Sequence, residues 1–172
     1  KIVIVFASDD VGPIKYLISL EEFIDDLVWI KSKNTQSLLD GKKIISENDV
    51  DKVSIIVTGT SLGESLDKRL IIQGKLINTP TIAIIENWSW YKKRFELDGE
   101  MILPDHIIVN DEYARGQALA DNLPEEKIFV GGNPHLEKLS KMKLPNIDVE
   151  SWRKKNKLLR SKVILFISEE LK

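Results

Sequence analysis

The chain of 172 residues contains no cysteine and only two histidines, His106 and His135. Without cysteine there can be no disulfide, thiolate metal site or cysteine nucleophile. The two histidines stand 29 positions apart, and this spacing argues against a histidine-based metal site. We therefore expect no metal and no other cofactor. The lack of cysteine is also typical of a cytoplasmic protein.

Long apolar runs are missing as well. No run approaches the ~20 residues that cross a bilayer as a helix, and the chain does not open with a signal peptide. Hydrophobic residues make up 42% and charged residues 30%, values that exclude disorder and a collagen-like structure. The length fits one α/β domain or part of a larger protein. Because the first residues already form an apolar run, we expect an initiator methionine or a leader to precede them.

The charge is distributed unevenly along the chain. In total, 25 lysines and arginines stand against 27 acidic residues, a net charge of −2. Residues 138–162 contain nine basic and two acidic residues, a net charge of +7, so the rest of the chain carries −9. We interpret this basic segment as a solvated helical connector. The alternative is peripheral contact with an anionic membrane, such as the inner membrane.

Apolar runs and helical patterns alternate along the chain. Predicted strands cover residues 2–6, 27–30, 53–57, 81–85, 106–109, 127–130 and 163–167. Predicted helices cover residues 14–18, 35–45, 64–77, 111–123 and much of 136–161, and the second of these is expected to be interrupted or to end near Gly41. Gly74 lies on the apolar stripe of its helix, where it would allow a close approach to the sheet. The alternation predicts an α/β fold, a doubly wound, mostly parallel, Rossmann-like sheet with helices on both faces.

The same pattern predicts three segments. Residues 1–136 are expected to form the Rossmann-like domain, and residues 137–162 the basic helical connector. Residues 163–172 are expected to be the first strand of a second domain or an edge strand, because no helix follows this strand in the sequence.

Ligands of an open parallel sheet bind beyond the carboxyl ends of its strands. The loop after the first strand lacks the G-x-G-x-x-G pattern, so NAD binding is not expected. The loop of residues 58–65 begins with Thr58, Gly59, Thr60 and Ser61, and it lacks the lysine of an NTPase phosphate loop. This loop is a candidate for binding a sugar or an anion, and the alternative is an ordinary capped turn.

Asp9 and Asp10 follow the first strand. A pair of acids at this point is typical of phosphoacceptor receiver domains, but that fold needs an aspartate and a lysine where this chain has Thr58 and Asn110. The receiver interpretation is therefore rejected. One of the two aspartates remains a candidate general base, and the alternative is a solvated acidic turn.

The least ordinary stretch is residues 87–95, which contains Asn87, Trp88, Tyr91 and Arg94 directly after a buried strand. Its aromatic rings are candidates for stacking on a sugar or a base, and Arg94 for holding a phosphate or carboxylate. The alternative is that the aromatic side chains only cover the end of the sheet. Nucleic acid is not an expected partner, because this acidic part of the chain lacks a basic groove.

Residues 127–137, with the sequence KIFVGGNPHLE, resemble the end of the N-terminal domain in glycosyltransferases of the GT-B fold. The transferase that adds N-acetylglucosamine to the peptidoglycan lipid precursor is one of these, and UDP-N-acetylglucosamine 2-epimerases have a related Gly-Asn turn. Residues 103–110 and 163–168 are similar to further segments of this superfamily. Residues 88–95 are similar to a W-x-x-Y-x-x-R-F stretch of bacterial polysaccharide-biosynthesis proteins.

The resemblance implies a two-domain enzyme of surface-polysaccharide biosynthesis, of which this chain is the N-terminal, acceptor-side half. The donor would be a nucleotide-activated sugar bound mainly by a second domain, and the acceptor a sugar or a lipid-linked sugar. The implied binding residues are Gly132, Asn133 and Pro134 in the hinge-side wall of the cleft, Gly12 and Pro13 in the first acceptor loop, and Thr60 and Ser61 in the loop opposite.

This chain departs from the family in its first loop. Many relatives have a glycine-rich loop that ends in histidine, whereas residues 8–13 here are Ser-Asp-Asp-Val-Gly-Pro. The remaining candidates for a general base are Asp9, Asp10 and Glu86. Two alternatives stay open: a nucleotide-sugar 2-epimerase of the same architecture, and a non-catalytic Rossmann-like module that binds a sugar or a protein partner. We expect residues 1–172 alone to be inactive, and a reading frame that continues past Lys172 would favour the enzyme.

Overall fold

The computed structural model describes residues 2–142, 148–164 and 166. The chain divides into two compact units, residues 1–140 and 141–172, and each is described by itself. None of the described helices has the length and apolar character that crossing a membrane requires.

Strands and helices alternate through the first unit. The strands are β1 (Ile4–Ala7), β2 (Leu27–Ile30), β3 (Ile55–Thr58), β4 (Thr81–Ile85), β5 (Glu96–Leu97), β6 (Glu100–Met101), β7 (His106–Val109) and β8 (Ile128–Val130). The helices are α1 (Val11–Ile18), α2 (Leu66–Ile77), α3 (Glu112–Ala120) and α4 (Pro134–Lys141), which ends at the boundary of the unit. The second unit contains α5 (Val149–Lys155).

The main sheet of the described residues has six parallel strands in the order β2-β1-β3-β4-β7-β8. A parallel bridge adds a short segment outside β2. There the Trp29 amide donates to the Lys43 carbonyl (2.8 Å) and the Ile45 amide donates to the Trp29 carbonyl (2.9 Å). With this segment counted, the order by chain position is that of a Rossmann sheet extended by one strand. The predicted fold class is confirmed.

The strand order reverses between β1 and β3. The chain runs from β1 outward to β2 and then returns to β3 on the other side of β1. The connections on the two sides of this point lie on opposite faces of the sheet, so a crevice forms at the carboxyl ends of β1 and β3.

Both faces of the sheet are buried, as expected for continuous β-branched runs in parallel strands. On one face, Ile14 and Leu17 of α1 pack in a cluster with Phe6, Trp29 and Ile84. The other face packs against α2 and α3 in two further apolar clusters. These layers fix the positions of the loops at the carboxyl ends of the strands.

The helix predicted over residues 35–45 is wrong. Only residues 36–39 form a short 3-10 turn. Gly41 has a φ of +75°, which interrupts the helical path, and Ile44 pairs with β2 as part of the edge segment. The apolar spacing in this stretch reflects packing against the sheet, because Leu39 and Ile44 belong to the cluster on the α1 face.

The other differences are smaller. The predicted strands of the first unit lie within two residues of the observed ones, and the bounds of β2, β4 and β7 agree. The β5–β6 hairpin was missed, although Asp98 and Gly99, both with positive φ, are a typical two-residue turn. In the predicted strand at residues 163–167, Val163, Ile164 and Phe166 have no regular secondary structure, and the other two residues lie outside the described part of the chain.

Gly74 allows α2 to pack closely on the sheet, as predicted. A Cβ at this position would lie 2.4 Å from Thr81 Cγ2 and 3.1 Å from the carbonyl oxygen of Thr79. Gly74→Ala is expected to lower the free energy of unfolding by about 1–3 kcal/mol, because the helix must move away from the sheet. Urea denaturation measures the difference.

Gly116 in α3 is the matched control, because nothing lies within 4 Å of a Cβ built at this position. Gly116→Ala is expected to raise the free energy of unfolding by roughly 0.4–1 kcal/mol, since alanine restricts the unfolded chain. Similar effects of the two substitutions would contradict the packing argument.

Candidate functional site

The loops that follow β1, β3 and β4 meet at the crevice. A Cβ at Gly59 would lie 2.3 Å from Ser8 Oγ and 2.4 Å from Pro13 Cβ, so the loop after β3 touches the start of α1. A Cβ at Gly12 would lie 2.7 Å from Glu86 Oε1. The structure therefore brings together site residues that the sequence predicted in three separate loops.

Asp9 and Asp10 have different surroundings. The Asp9 carboxylate accepts a hydrogen bond from the Leu66 amide at the start of α2, and the Asp9 amide donates to Asp67 Oδ2 (3.2 Å). Asp9 thus satisfies the N-terminus of α2, near the loop where the sequence suggested an anion. Asp10 is exposed at the N-cap of α1, and in the described part of the chain its side chain makes no capping hydrogen bond.

Glu86 follows β4 and is partly buried. Its Oε1 accepts a hydrogen bond from the side-chain amide of Asn87 (3.4 Å), whereas its buried Oε2 has no hydrogen-bond partner among the described residues. Burial raises the pKa of Glu86, and the charges of Asp10 and Asp67 raise it further, while Arg94 opposes them. This carboxyl group is therefore suited to exchange a proton closer to neutral pH than an ordinary glutamate.

Arg94 connects two loops at this edge of the sheet. Its side chain is buried, with 7% of the residue exposed. Nη1 donates to the carbonyl of Thr60 (2.7 Å), and Nε donates to the carbonyl of Ser89 (3.0 Å). The predicted role of Arg94 in binding a ligand stays a prediction, whereas its contacts give it a role in holding the loops.

Lys68 of α2 holds the same loop after β3, and sequence analysis missed it. Its Nζ donates to the carbonyls of Ser61 and Gly63, both at 2.7 Å. Burial lowers the pKa of Lys68, and the nearby charge of Asp67 opposes this effect. Three carbonyls of one loop are thus hydrogen-bonded to two buried cations, Lys68 and Arg94.

Asp67, the second residue of α2, was also missed. Only 1% of it is exposed, and its Oδ1 has no hydrogen-bond partner among the described residues. Burial raises the pKa of Asp67, and the nearby Ser61 hydroxyl, Asp9 amide and Ser8 hydroxyl only partly offset this. An acid in the first turn of a helix is ordinarily solvated, so the sequence carries no sign of this burial.

Buried polar atoms without a partner concentrate around the crevice. In the described residues they are Thr58 Oγ1, Ser61 Oγ, Asp67 Oδ1, Glu86 Oε2 and Tyr91 Oη. The first four lie at the ends of β3 and β4, in the loop after β3, or in the first turn of α2. Because buried polar groups are nearly always hydrogen-bonded, this concentration indicates groups that water or a ligand completes.

A network of amides links the ends of β4, β7 and β8. Asn110 Nδ2 donates to the carbonyl of Glu86 (2.8 Å), and Asn133 Nδ2 donates to Asn110 Oδ1 (3.2 Å). Asn133 also caps α4, since its Oδ1 accepts from the Leu136 amide (3.1 Å). The predicted wall residue Asn133 is therefore next to the backbone of the predicted base.

The neighbouring wall residues lie at the same edge. The Tyr16 hydroxyl of α1 donates to the carbonyl of Gly132 (3.0 Å), and Pro134 is the first residue of α4. Gly132 has a φ of +79°, a conformation that favours glycine in the turn between β8 and α4.

The aromatic stretch after β4 divides into buried and exposed rings. Tyr91 and Phe95 are buried in the apolar cluster beside α3 and cover the sheet. Trp88 is 43% exposed, and its Nε1 donates to Asp111 Oδ2 (2.8 Å), which fixes the plane of the indole. Trp90 is 53% exposed. One face of the Trp90 ring is covered by Lys93, whose Nζ lies 4.3 Å from the ring centroid, so Trp88 offers the more open surface for stacking on a sugar.

The positions of the histidine and acidic side chains also indicate whether the site could hold a metal ion. No group of three or more His, Asp or Glu side chains in the described ranges is arranged to hold a metal ion. The site offers a partly buried carboxyl group, hydroxyl groups without partners and a fixed indole ring, a set suited to binding a hydroxylated ligand and moving its proton.

Replacement of Arg94 tests its role in holding the loops. Arg94→Lys keeps the charge, but one ammonium group cannot replace both hydrogen bonds, so the free energy of unfolding is expected to fall by about 1–3 kcal/mol. Arg69→Lys is the control, because Arg69 pairs with Glu47 at the surface and should lose less than about 1 kcal/mol. Chemical denaturation of both variants gives the comparison, and equal losses would argue against the assigned role.

Because Asp67 is a buried acid, we expect the stability of the protein to depend on pH. The pKa of Asp67 is raised in the folded protein, whereas an aspartate in the unfolded chain titrates near 4. Above pH 4, the unfolded chain can lose this proton more easily than the folded protein, so Asp67 then destabilises the fold. Asp67→Asn is therefore expected to stabilise the protein at pH 7 by on the order of 1 kcal/mol, since it removes the buried acid. The gain should shrink as the pH falls toward 4, as followed by thermal unfolding.

Asp105 provides a control of opposite sign. Partial burial raises its pKa, but hydrogen bonds from the Thr81 amide and hydroxyl (2.8 and 2.9 Å) and the charge of Lys127 outweigh this and lower it. Asp105→Asn should therefore cost stability at pH 7, and this cost should decrease as the pH falls through the lowered pKa. The same sign for both variants would refute the assignment.

Comparison of the sequence with protein-family models and with curated proteins gives no match.

Proposed function

We propose that the first unit is the acceptor-binding domain of a glycosyltransferase-like enzyme that uses a nucleotide-activated sugar in surface-polysaccharide biosynthesis. In the proposed reaction, an acceptor hydroxyl group attacks the anomeric carbon of the donor sugar, with Glu86 as the general base. The observation that carries the proposal is the buried Oε2 of Glu86, without a partner among the described residues, at the crevice where ligands of a doubly wound sheet bind.

Glu86 is favoured over the two aspartates as the base. The Asp9 carboxylate already accepts a hydrogen bond from the Leu66 amide at the N-terminus of α2, so it serves the helix. Asp10 is exposed, whereas Glu86 combines burial with a raised pKa. A general base is most effective when its pKa lies near the operating pH, so the environment of Glu86 fits the role better.

The acceptor would lie between Glu86 and the exposed indoles. Trp88 is two residues from Glu86, and its ring is oriented by Asp111. Sugar rings present an apolar face that stacks on an indole, while their hydroxyl groups hydrogen-bond to carboxylate and amide groups. Asn87, whose side chain contacts Glu86, supplies an amide at the same point.

The phosphates of the donor would be bound elsewhere. A leaving diphosphate needs hydrogen-bond donors and positive charge. Two nitrogens of Arg94 and the Nζ of Lys68 already hold backbone carbonyls, and Asp9 occupies the N-terminus of α2. These contacts support a division in which this unit binds the acceptor and a second domain binds the donor, as the resemblance implies.

Substitution of Glu86 tests the proposal. Glu86→Gln keeps the size of the side chain but cannot accept a proton, so kcat should fall by roughly 10²–10⁴-fold while KM for the acceptor changes little. Transfer is measured with the natural gene product, radiolabelled nucleotide sugars as donors and lipid extracts or free sugars as acceptors.

Glu126→Gln is the control, because Glu126 is exposed just before β8, outside the loops of the site, and should leave kcat unchanged. Wild-type protein that transfers no nucleotide-activated sugar, or a Glu86→Gln variant as active as the control, would overturn the proposal. Turnover of the nucleotide sugar without any acceptor would instead indicate an epimerase.

A further inference from the structure

We propose that Asp67 is a positioning residue of this site, which fixes the turn of residues 9–12 beside the Glu86 carboxyl group and is electrostatically coupled to that group. The inference rests on the proposed function only where it calls Glu86 the base. The positioning and the coupling are properties of the protein itself and can be measured without a substrate.

An acidic side chain lies next to each end of the turn of residues 9–12. At one end the Asp9 amide donates to Asp67 Oδ2 (3.2 Å). At the other end Gly12 lies against Glu86, since a Cβ at Gly12 would come within 2.7 Å of Glu86 Oε1. Asp10, the exposed acid of the site, lies between these two contacts. Loss of the acceptor oxygen of Asp67 is therefore expected to move the backbone that carries Asp9 and Asp10.

Asp67 is almost completely buried, although it is an acid in the first turn of a helix. Its contact with the Asp9 amide needs one acceptor oxygen, which an asparagine would also supply. The second oxygen, Oδ1, is buried without a partner among the described residues. Burial of an ionisable group costs free energy, which the nearby Ser61 and Ser8 hydroxyl groups offset only in part, and buried acids with perturbed pKa values are typical of functional sites.

The charges that face Asp67 and Glu86 come from several elements. Asp9 and Asp10 lie in the turn after β1, Lys68 is the next residue of α2, and Arg94 reaches the loop from the segment after β4. The hydrogen bonds of Lys68 and Arg94 go to backbone carbonyls, so neither cation forms a close ion pair with Asp67 or Glu86 among the described residues. The nearby positive charges therefore offset only part of the repulsion between the Asp67 and Glu86 carboxylates.

This arrangement makes the proton on one carboxyl group depend on the other. When Asp67 is charged, Glu86 holds its proton more firmly, and when Asp67 is neutral, Glu86 ionises more readily. Asp67 would thus determine the pH range in which Glu86 is free to accept a proton from an acceptor hydroxyl group.

The coupling is tested by carbon-13 NMR of the Glu86 carboxyl group in the whole chain, titrated from pH 3 to pH 9. Asp67→Asn keeps the shape and the acceptor oxygen, so the turn should be retained while the Glu86 midpoint moves to a lower pH, since one of the charges that raise it is removed. Asp40→Asn, at an exposed position, is the control and should leave the midpoint in place. A midpoint in Asp67→Asn equal to that of the control would overturn the coupling.

The positioning is tested by the backbone amide signals of residues 9–12. Asp67→Asn should keep their chemical shifts and hydrogen-exchange rates, whereas Asp67→Ala should move the shifts and speed the exchange of the Asp9 amide. Unchanged signals in Asp67→Ala would overturn the positioning role. Neither titration nor exchange requires transfer activity, so a failure here is distinct from a failure of the proposed function.

Discussion

The buried positive charges of Lys68 and Arg94 lie among four acidic side chains, yet they hydrogen-bond to backbone carbonyls of one loop. Charged donors form strong hydrogen bonds in a buried setting, so these contacts fix the loop between β3 and α2. At the start of this loop, Gly59 lies directly against the start of α1, since a Cβ there would lie 2.4 Å from Pro13 Cβ. It also leaves the carboxyl groups of Asp67 and Glu86 without a close cationic partner among the described residues.

The consequence for chemistry is a set of acids with different tasks. The Asp9 carboxylate accepts a hydrogen bond from the N-terminus of α2, and Asp10 is exposed to solvent. Asp67 and Glu86 lie in a poorly solvated crevice where burial raises both of their pKa values. Buried groups with pKa values perturbed in this way are typical of acid–base sites, and each of these two carboxyl groups also has one buried oxygen without a partner among the described residues.

The sequence predicted the scaffold well and the contacts of the site only in part. Continuous β-branched runs locate strands because they reflect burial on both faces, and Gly74 could be identified because its side of the helix faces the sheet. Asp9, Gly12 and Glu86 could be grouped because parallel strands end at one edge. The burial of Asp67 and Lys68 could not be predicted, since it depends on loops that fold over them. Arg94 looked like a ligand-binding residue because its partner, the Thr60 carbonyl, lies 34 positions away.

The central claim is that the crevice at the carboxyl ends of β1, β3 and β4 is the ligand site. Backbone amide shifts of the chain, recorded during titration with N-acetylglucosamine, test it most directly. The account predicts saturable shifts confined to residues 9–12, 59–61 and 86–88. Shifts centred on the pocket of about 480 Å³ at the opposite edge of the sheet, lined by Gly74, Asn78 and His106, would contradict it.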